Sequence, residues 1–182
     1  MLTILLLVIL AWSFYIGFSR GIILQSFYTI GAILATIFAS SVYRPWSKLI
    51  SLWVPFINAT QGSKTYFFSQ AQLFRLSEVF YAGLSFLIAY TIFYCGWRVL
   101  GIFLHMIPEE WESRKWTKYL SGFLAVLVTA YSMQILLVTL STIPMDLVQN
   151  QLNRSSLAHF LIQQMPFTSN FLKGLFVTKI IG

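Results

Sequence analysis

The sequence predicts an all-α, polytopic membrane protein with four transmembrane helices, and short interfacial amphipathic helices in the second loop and the carboxy-terminal tail. Three observations predict it. Only 9% of the 182 residues are charged and 58% are hydrophobic, with a mean hydropathy of +0.76; a soluble domain carries about a quarter charged residues. The apolar residues are gathered into four charge-free runs. Those runs are continuously apolar, whereas a membrane barrel reads as strands of about ten alternating residues.

The first span covers about 2–19. It lacks the basic leader region of a secretory signal, and Trp12, Phe14, Tyr15 and Phe18 fill the place of a small-residue cleavage site, so it is expected to be a retained spanning helix. Gly17, Arg20 and Gly21 form a hairpin turn into the next helix, since glycine supplies the backbone freedom a tight connection needs. That turn predicts that the first two helices lie antiparallel against one another.

The second span covers 22–43 and would rise about 33 Å as a helix, enough for a hydrocarbon core of about 30 Å. Arg20 and Arg44 flank it, where their stems can lie along lipid and their heads reach headgroups. Gly31, Ala35 and Ala39 recur every four residues as a seam of small side chains. Lipid gives helices little hydrophobic reason to associate, so close approach along such a seam does that work. The other helices are expected to pack here.

Pro45 is expected to end this span, because the residue before a proline is biased away from helix. Over 45–54, Trp46, Leu49, Ile50 and Trp53 fall on one side of a helix and Ser47, Lys48 and Ser51 on the other. That segment is too short to span and suits a helix lying in the headgroup plane. The third span, about 79–104, carries one charge, Arg98. An ionisable residue within a span is a functional hypothesis: Arg98 either snorkels to the near interface or meets a buried partner. The fourth span, about 119–143, places Ser121, Gly122 and Ala125 on a small-residue face. Residues 1–145 thus form the transmembrane domain and 146–182 an amphipathic tail. In the tail, Leu157, Phe160 and Leu161, then Phe171, Leu172, Leu175 and Phe176, suggest two short segments separated at Pro166, lying on the membrane or against the bundle.

No catalytic, cofactor-binding or metal-ligating set is expected, and the chain is not expected to be an enzyme. His105 and His159 follow no metal spacing. Glu109, Glu110 and Glu112 share a loop with Arg114 and Lys115, which they offset. No G-x-S-x-G elbow and no phosphate-binding glycine loop occur. The single cysteine, Cys95, excludes an intramolecular disulfide and any cysteine-cluster metal site. A net charge of +7 would suggest nucleic acid for a soluble protein. Here most basic residues flank apolar runs, so the expected partners are anionic lipid headgroups, further copies of the chain or other membrane proteins, and not nucleic acid. All five acids lie at or beyond the ends of the runs, which argues against ion-coupled transport by a monomer.

Several short features occur in a recognisable order. An apolar first helix ends at Gly17 and turns at Arg20-Gly21; the second carries Gly31 and leads to Tyr43-x-Pro45. The fourth opens at Leu120-Ser121-Gly122, and Ser155-Ser156-Leu157 runs on to Pro166. In this order the chain resembles the colicin V production protein (CvpA) family of bacterial membrane proteins, over nearly its whole length. That family's fourth helix often carries glycines every four residues; here Gly122 is followed by Val126 and Ala130. The resemblance implies a multi-pass protein of the bacterial inner membrane, a non-enzymatic accessory or scaffold in production and export of colicin V-type toxins or in envelope maintenance. It implies no reaction. A small transporter or channel subunit is the alternative.

Overall fold

A computed structural model describes residues 1–55, 66–67, 75–106, 115–166 and 168–178. Among these the chain is all-α, and four helices are long and apolar enough to cross a membrane. They are α1 (Leu2–Arg20), α2 (Ile22–Ile50), α3 (Leu76–Leu100) and α4 (Lys115–Ser141). Three short helices follow: α5 (Asp146–Asn153), α6 (Ser156–His159), which opens into a π-turn over Phe160–Gln164, and α7 (Thr168–Lys173), which does the same over Gly174–Thr178.

One residue separates α1 from α2. Gly21 sits at φ 86° and ψ 164°, a region that side-chain-bearing residues avoid. The expected hairpin packing does not follow from that tight turn. After Gly21 the two helices part; α1 packs mainly on α4 and α2 mainly on α3. The small faces explain the exchange. Gly17 is buried on α1 opposite Ser121, Gly122 and Ala125 of α4, and a Cβ on Gly17 would lie 2.9 Å from the Ser121 carbonyl oxygen and 3.1 Å from the Gly122 Cα.

Pro45 does not end the second helix. It lies inside α2, which continues to Ile50, so residues 45–54 are not a separate interfacial helix; they extend α2, with a turn at Ser51–Val54. Proline removes one backbone bond from a spanning helix, and serine side chains nearby can re-satisfy carbonyls. Here the carbonyl that loses its donor is that of Ser41, whereas the Ser40, Ser41 and Ser47 hydroxyls donate to the carbonyls of Ile37, Phe38 and Arg44. α3 begins three residues before the expected span and tightens to a 3₁₀ turn over Gly101–Met106.

Of the two places expected for the tail, on the membrane or against the bundle, the structure takes the second. Leu152, Ala158, Leu161, Ile162, Leu172, Leu175 and Phe176 are buried in the same core as Ala35, Ala39, Phe86 and Ile135. The Thr3 hydroxyl donates to Ser155 at 2.9 Å, which ties the start of α6 to the start of α1. Beyond the Met165–Pro166 bend the chain returns: the Phe176 ring meets Phe86 at 5.4 Å, and the Tyr43 hydroxyl donates to the Leu175 carbonyl at 3.5 Å. Between these points Thr168 and Phe171 line one groove with Thr29, Ala32, Thr36 and Tyr131, near the middle of the 22–43 stretch. The tail is therefore a helical hairpin folded back on the bundle, with Thr168 and Phe171, just past its bend, at the groove along residues 29–37 of α2. Each arm is too short to span, so a hydropathy pattern resolves it poorly.

Candidate functional site

The two small-residue faces work differently. On α2, Ala35 and Ala39 are wholly buried and Gly31 is buried too, but aromatic rings from α3 fill the seam. Trp97 covers Gly31, where a Cβ would stand 2.5 Å from the indole Nε1. Phe93 stacks on Phe38 at 5.1 Å, and Phe86 meets Tyr43 at 6.4 Å. The Trp97 indole N–H donates to the Phe27 carbonyl at 2.9 Å, and its ring stacks on Phe27 at 4.8 Å. On α4, Ser121 and Ala125 lie against α1. The Ser121 Oγ stands 2.5 Å from the Gly17 carbonyl oxygen and 2.8 Å from that of Gly21, and its one proton is shared between them. The Gly17 carbonyl lies in the last turn of α1 and the Gly21 carbonyl also accepts the Gln25 backbone N–H at 3.2 Å, so Ser121 ties the turn between α1 and α2 to α4.

At the same end the bundle gathers its charge. Arg20, the last residue of α1, and Arg98, near the end of α3, both stand over the ring of Tyr28, at 5.3 and 5.4 Å from its centroid. Tyr28 is 5% exposed. Beside it lies a cavity of about 90 Å³ lined by both arginines together with Ser13, Gln25, Tyr94 and Thr129. Arg98 is exposed on the protein surface and shares the Tyr28 ring with a second cation. Arg75 and Glu78 form a salt bridge at 3.1 Å at the opposite end of α3.

Gln25, Tyr28 and Tyr94 are missing from the residues singled out in the sequence. A signal existed. Gln25 is the one amide in the second span, Tyr28 follows at i+3 on its face, and Tyr94 precedes Arg98 by four. A second cluster also went unread: Gln163, Gln164 and Asn170 are exposed around the Pro166 bend. Of the two histidines, the His159 ring bonds the Asn153 side chain at 3.0 Å. The side chain of His105 and the acidic loop of Glu109, Glu110 and Glu112 lie outside the described residues. No group of three His, Cys, Asp or Glu side chains placed to hold a metal occurs among the described residues.

Residues 2–166 match the colicin V production protein family. The chain belongs to that family. The match takes in all four spans and the inward arm of the hairpin. A relative, the uncharacterized transmembrane protein YshB of Bacillus subtilis (strain 168), is 28% identical over 178 residues, covering 96% of this chain and 97% of that protein. No solved structure matches. This member of the family is a multi-pass membrane protein, and the arginine pair and the polar hairpin bend are places among its described residues where packing alone does not account for the side chains.

Proposed function

We propose that this protein is a non-enzymatic accessory or scaffold subunit of an assembly in the bacterial inner membrane, serving production and export of colicin V-type bacteriocins or maintenance of the envelope. The observation behind the assembly is the hairpin bend. Gln163, Gln164 and Asn170 are exposed there, at a depth where lipid offers no hydrogen bonds and irregular backbone is tolerated only against protein or water. An amide both donates and accepts, so the same residues of a second copy, or polar groups of another membrane protein, complete these side chains. The bacteriocin or envelope task is taken from the family.

The test is disulfide trapping in native membranes, with Gln163→Cys or Asn170→Cys in a Cys95→Ser background. A specific adduct, to a second copy or to one other membrane protein, is expected. Cysteines that form no adduct and react with lipid-phase reagents alone would sink the assembly. Loss of bacteriocin secretion or of envelope integrity on deletion is the accompanying readout of the task.

The same bend supports a second reading, a small transporter or channel subunit, because irregular backbone at depth also lines aqueous paths. Liposomes holding the purified protein would then pass solute in a manner sensitive to Arg98→Ala. Vesicles that stay sealed across a broad solute screen argue against it.

A further inference from the structure

We propose that the cavity between Arg20 and Arg98 is a binding site for a phosphate-type oxyanion, gripped by both guanidinium groups beside the ring of Tyr28. The pocket is complete within one chain, so the proposal does not rest on the assembly described above.

The argument starts from charge. Two arginines share one ring, so their charges stand no farther apart than the sum of their distances to its centroid. Like charges held together beside a low-dielectric interior repel more strongly than in water. A ring face attracts a cation, but it neutralises none of the charge. No acid is among the residues that line the cavity.

The platform is also fixed in place. Tyr28 is 5% exposed and the backbone of Gly101 lies against it, so that a Cβ at Gly101 would fall 2.7 Å from the Tyr28 hydroxyl. The two cations are thus gathered by packing from three helices rather than left to drift in solvent. Gln25, 3% exposed, adds an amide, and Tyr94 and Thr129 add hydroxyls. These are donors that an oxyanion accepts, and the planar fork of arginine matches phosphate oxygens in pairs. The cavity of about 90 Å³ has room for several waters or one phosphate group. Two sources supply that chemistry: the headgroup phosphate of an anionic lipid, or a free anion.

The test uses the purified full-length protein in a neutral detergent, titrated separately with inorganic phosphate and with a short-chain phosphatidylglycerol. Phosphatidylcholine of the same chain length is the control. Saturable binding at one site per chain is expected from at least one of the first two probes. Phosphate saturation identifies a soluble anion, and saturation by phosphatidylglycerol alone identifies a lipid headgroup. Arg20→Gln and Arg98→Gln should each weaken binding by about ten- to a hundredfold, the loss of charge-assisted hydrogen bonds, while Arg154→Gln leaves it unchanged. Should a glutamine variant fail to fold, Arg98→Lys keeps the charge without the fork and should bind at an intermediate level. The proposal is overturned if neither probe saturates, or if binding survives both glutamine substitutions. It is equally overturned if wild type binds nothing and Glu109→Gln/Glu110→Gln/Glu112→Gln binds phosphate, since the counter-ion would then be the chain's own acidic loop.

Discussion

Replacing Gly31 by alanine adds one methyl group where the indole of Trp97 already stands. The new Cβ would lie 2.5 Å from Nε1 and 2.6 Å from Cγ, so the ring must move. Moving it breaks the 2.9 Å bond to the Phe27 carbonyl and the 4.8 Å stack on Phe27. The hydrogen bond is worth about 1 kcal/mol and the stack about 0.5–1.5 kcal/mol. Overpacking adds about 1–3 kcal/mol, and alanine's better helix propensity returns about 1 kcal/mol. The net expectation is a loss of about 2–4 kcal/mol. Reversible unfolding in mixed micelles, with SDS as denaturant and helical circular dichroism as signal, measures it. The cost should largely vanish in a Trp97→Leu background, because neighbours that clash are coupled. A Gly31→Ala protein within about 0.5 kcal/mol of wild type, or a cost unchanged by removing the indole, would refute the reasoning.

The same assay checks four other positions. Ser121→Ala removes the hydroxyl shared by the Gly17 and Gly21 carbonyls and should cost about 1 kcal/mol, in the range measured for hydrogen bonds between spans. Gly21→Ala forces a side chain into φ 86°, ψ 164° and should cost about 1–3 kcal/mol. Gln134 is wholly buried and neither amide atom has a partner; Gln134→Met should stabilise the protein by about 1–3 kcal/mol, the penalty of an unsatisfied polar group. Pro45→Ala restores a backbone N–H inside α2 and should gain up to about 3 kcal/mol, the propensity cost of an interior proline. A loss at either of the last two positions would show that the present residue has an undetected role.

The spans were legible because lipid imposes them: a charge-free run of twenty residues has few other uses. Helix partners were less so. A short connection suggests neighbours, yet the extended ψ of Gly21 separates α1 from α2, and the choice of partner falls to Gly17 meeting Ser121. Small seams were readable as buried faces. What fills them was not, since the ring over Gly31 comes from a helix without a clean seam of its own. At Pro45 a local bias was weighed against a helix already about six turns long, and the longer element prevailed. The tail was legible only as two alternatives, on the membrane or against the bundle. Its two arms are amphipathic and short, which describes a surface helix and one packed on the bundle equally well, and the burial of Leu161, Leu172 and Phe176 in the common core separates them. Arg98 was visible alone; its companion was hidden because Arg20 reads as a turn residue until α3 is folded beside α2.

The pairing of α1 with α4 and α2 with α3 positions everything argued for Arg20, Arg98 and the hairpin. Crosslinking in native membranes with a short bis-maleimide, in a Cys95→Ser background, tests it most directly. Phe18→Cys with Tyr119→Cys, and Phe38→Cys with Phe93→Cys, replace rings whose centroids lie 5.3 and 5.1 Å apart and should crosslink within one chain. Leu5→Cys with Ile92→Cys, both exposed on helices without an extended contact, should not. A crosslink in that last pair, with none between positions 18 and 119, would contradict the arrangement.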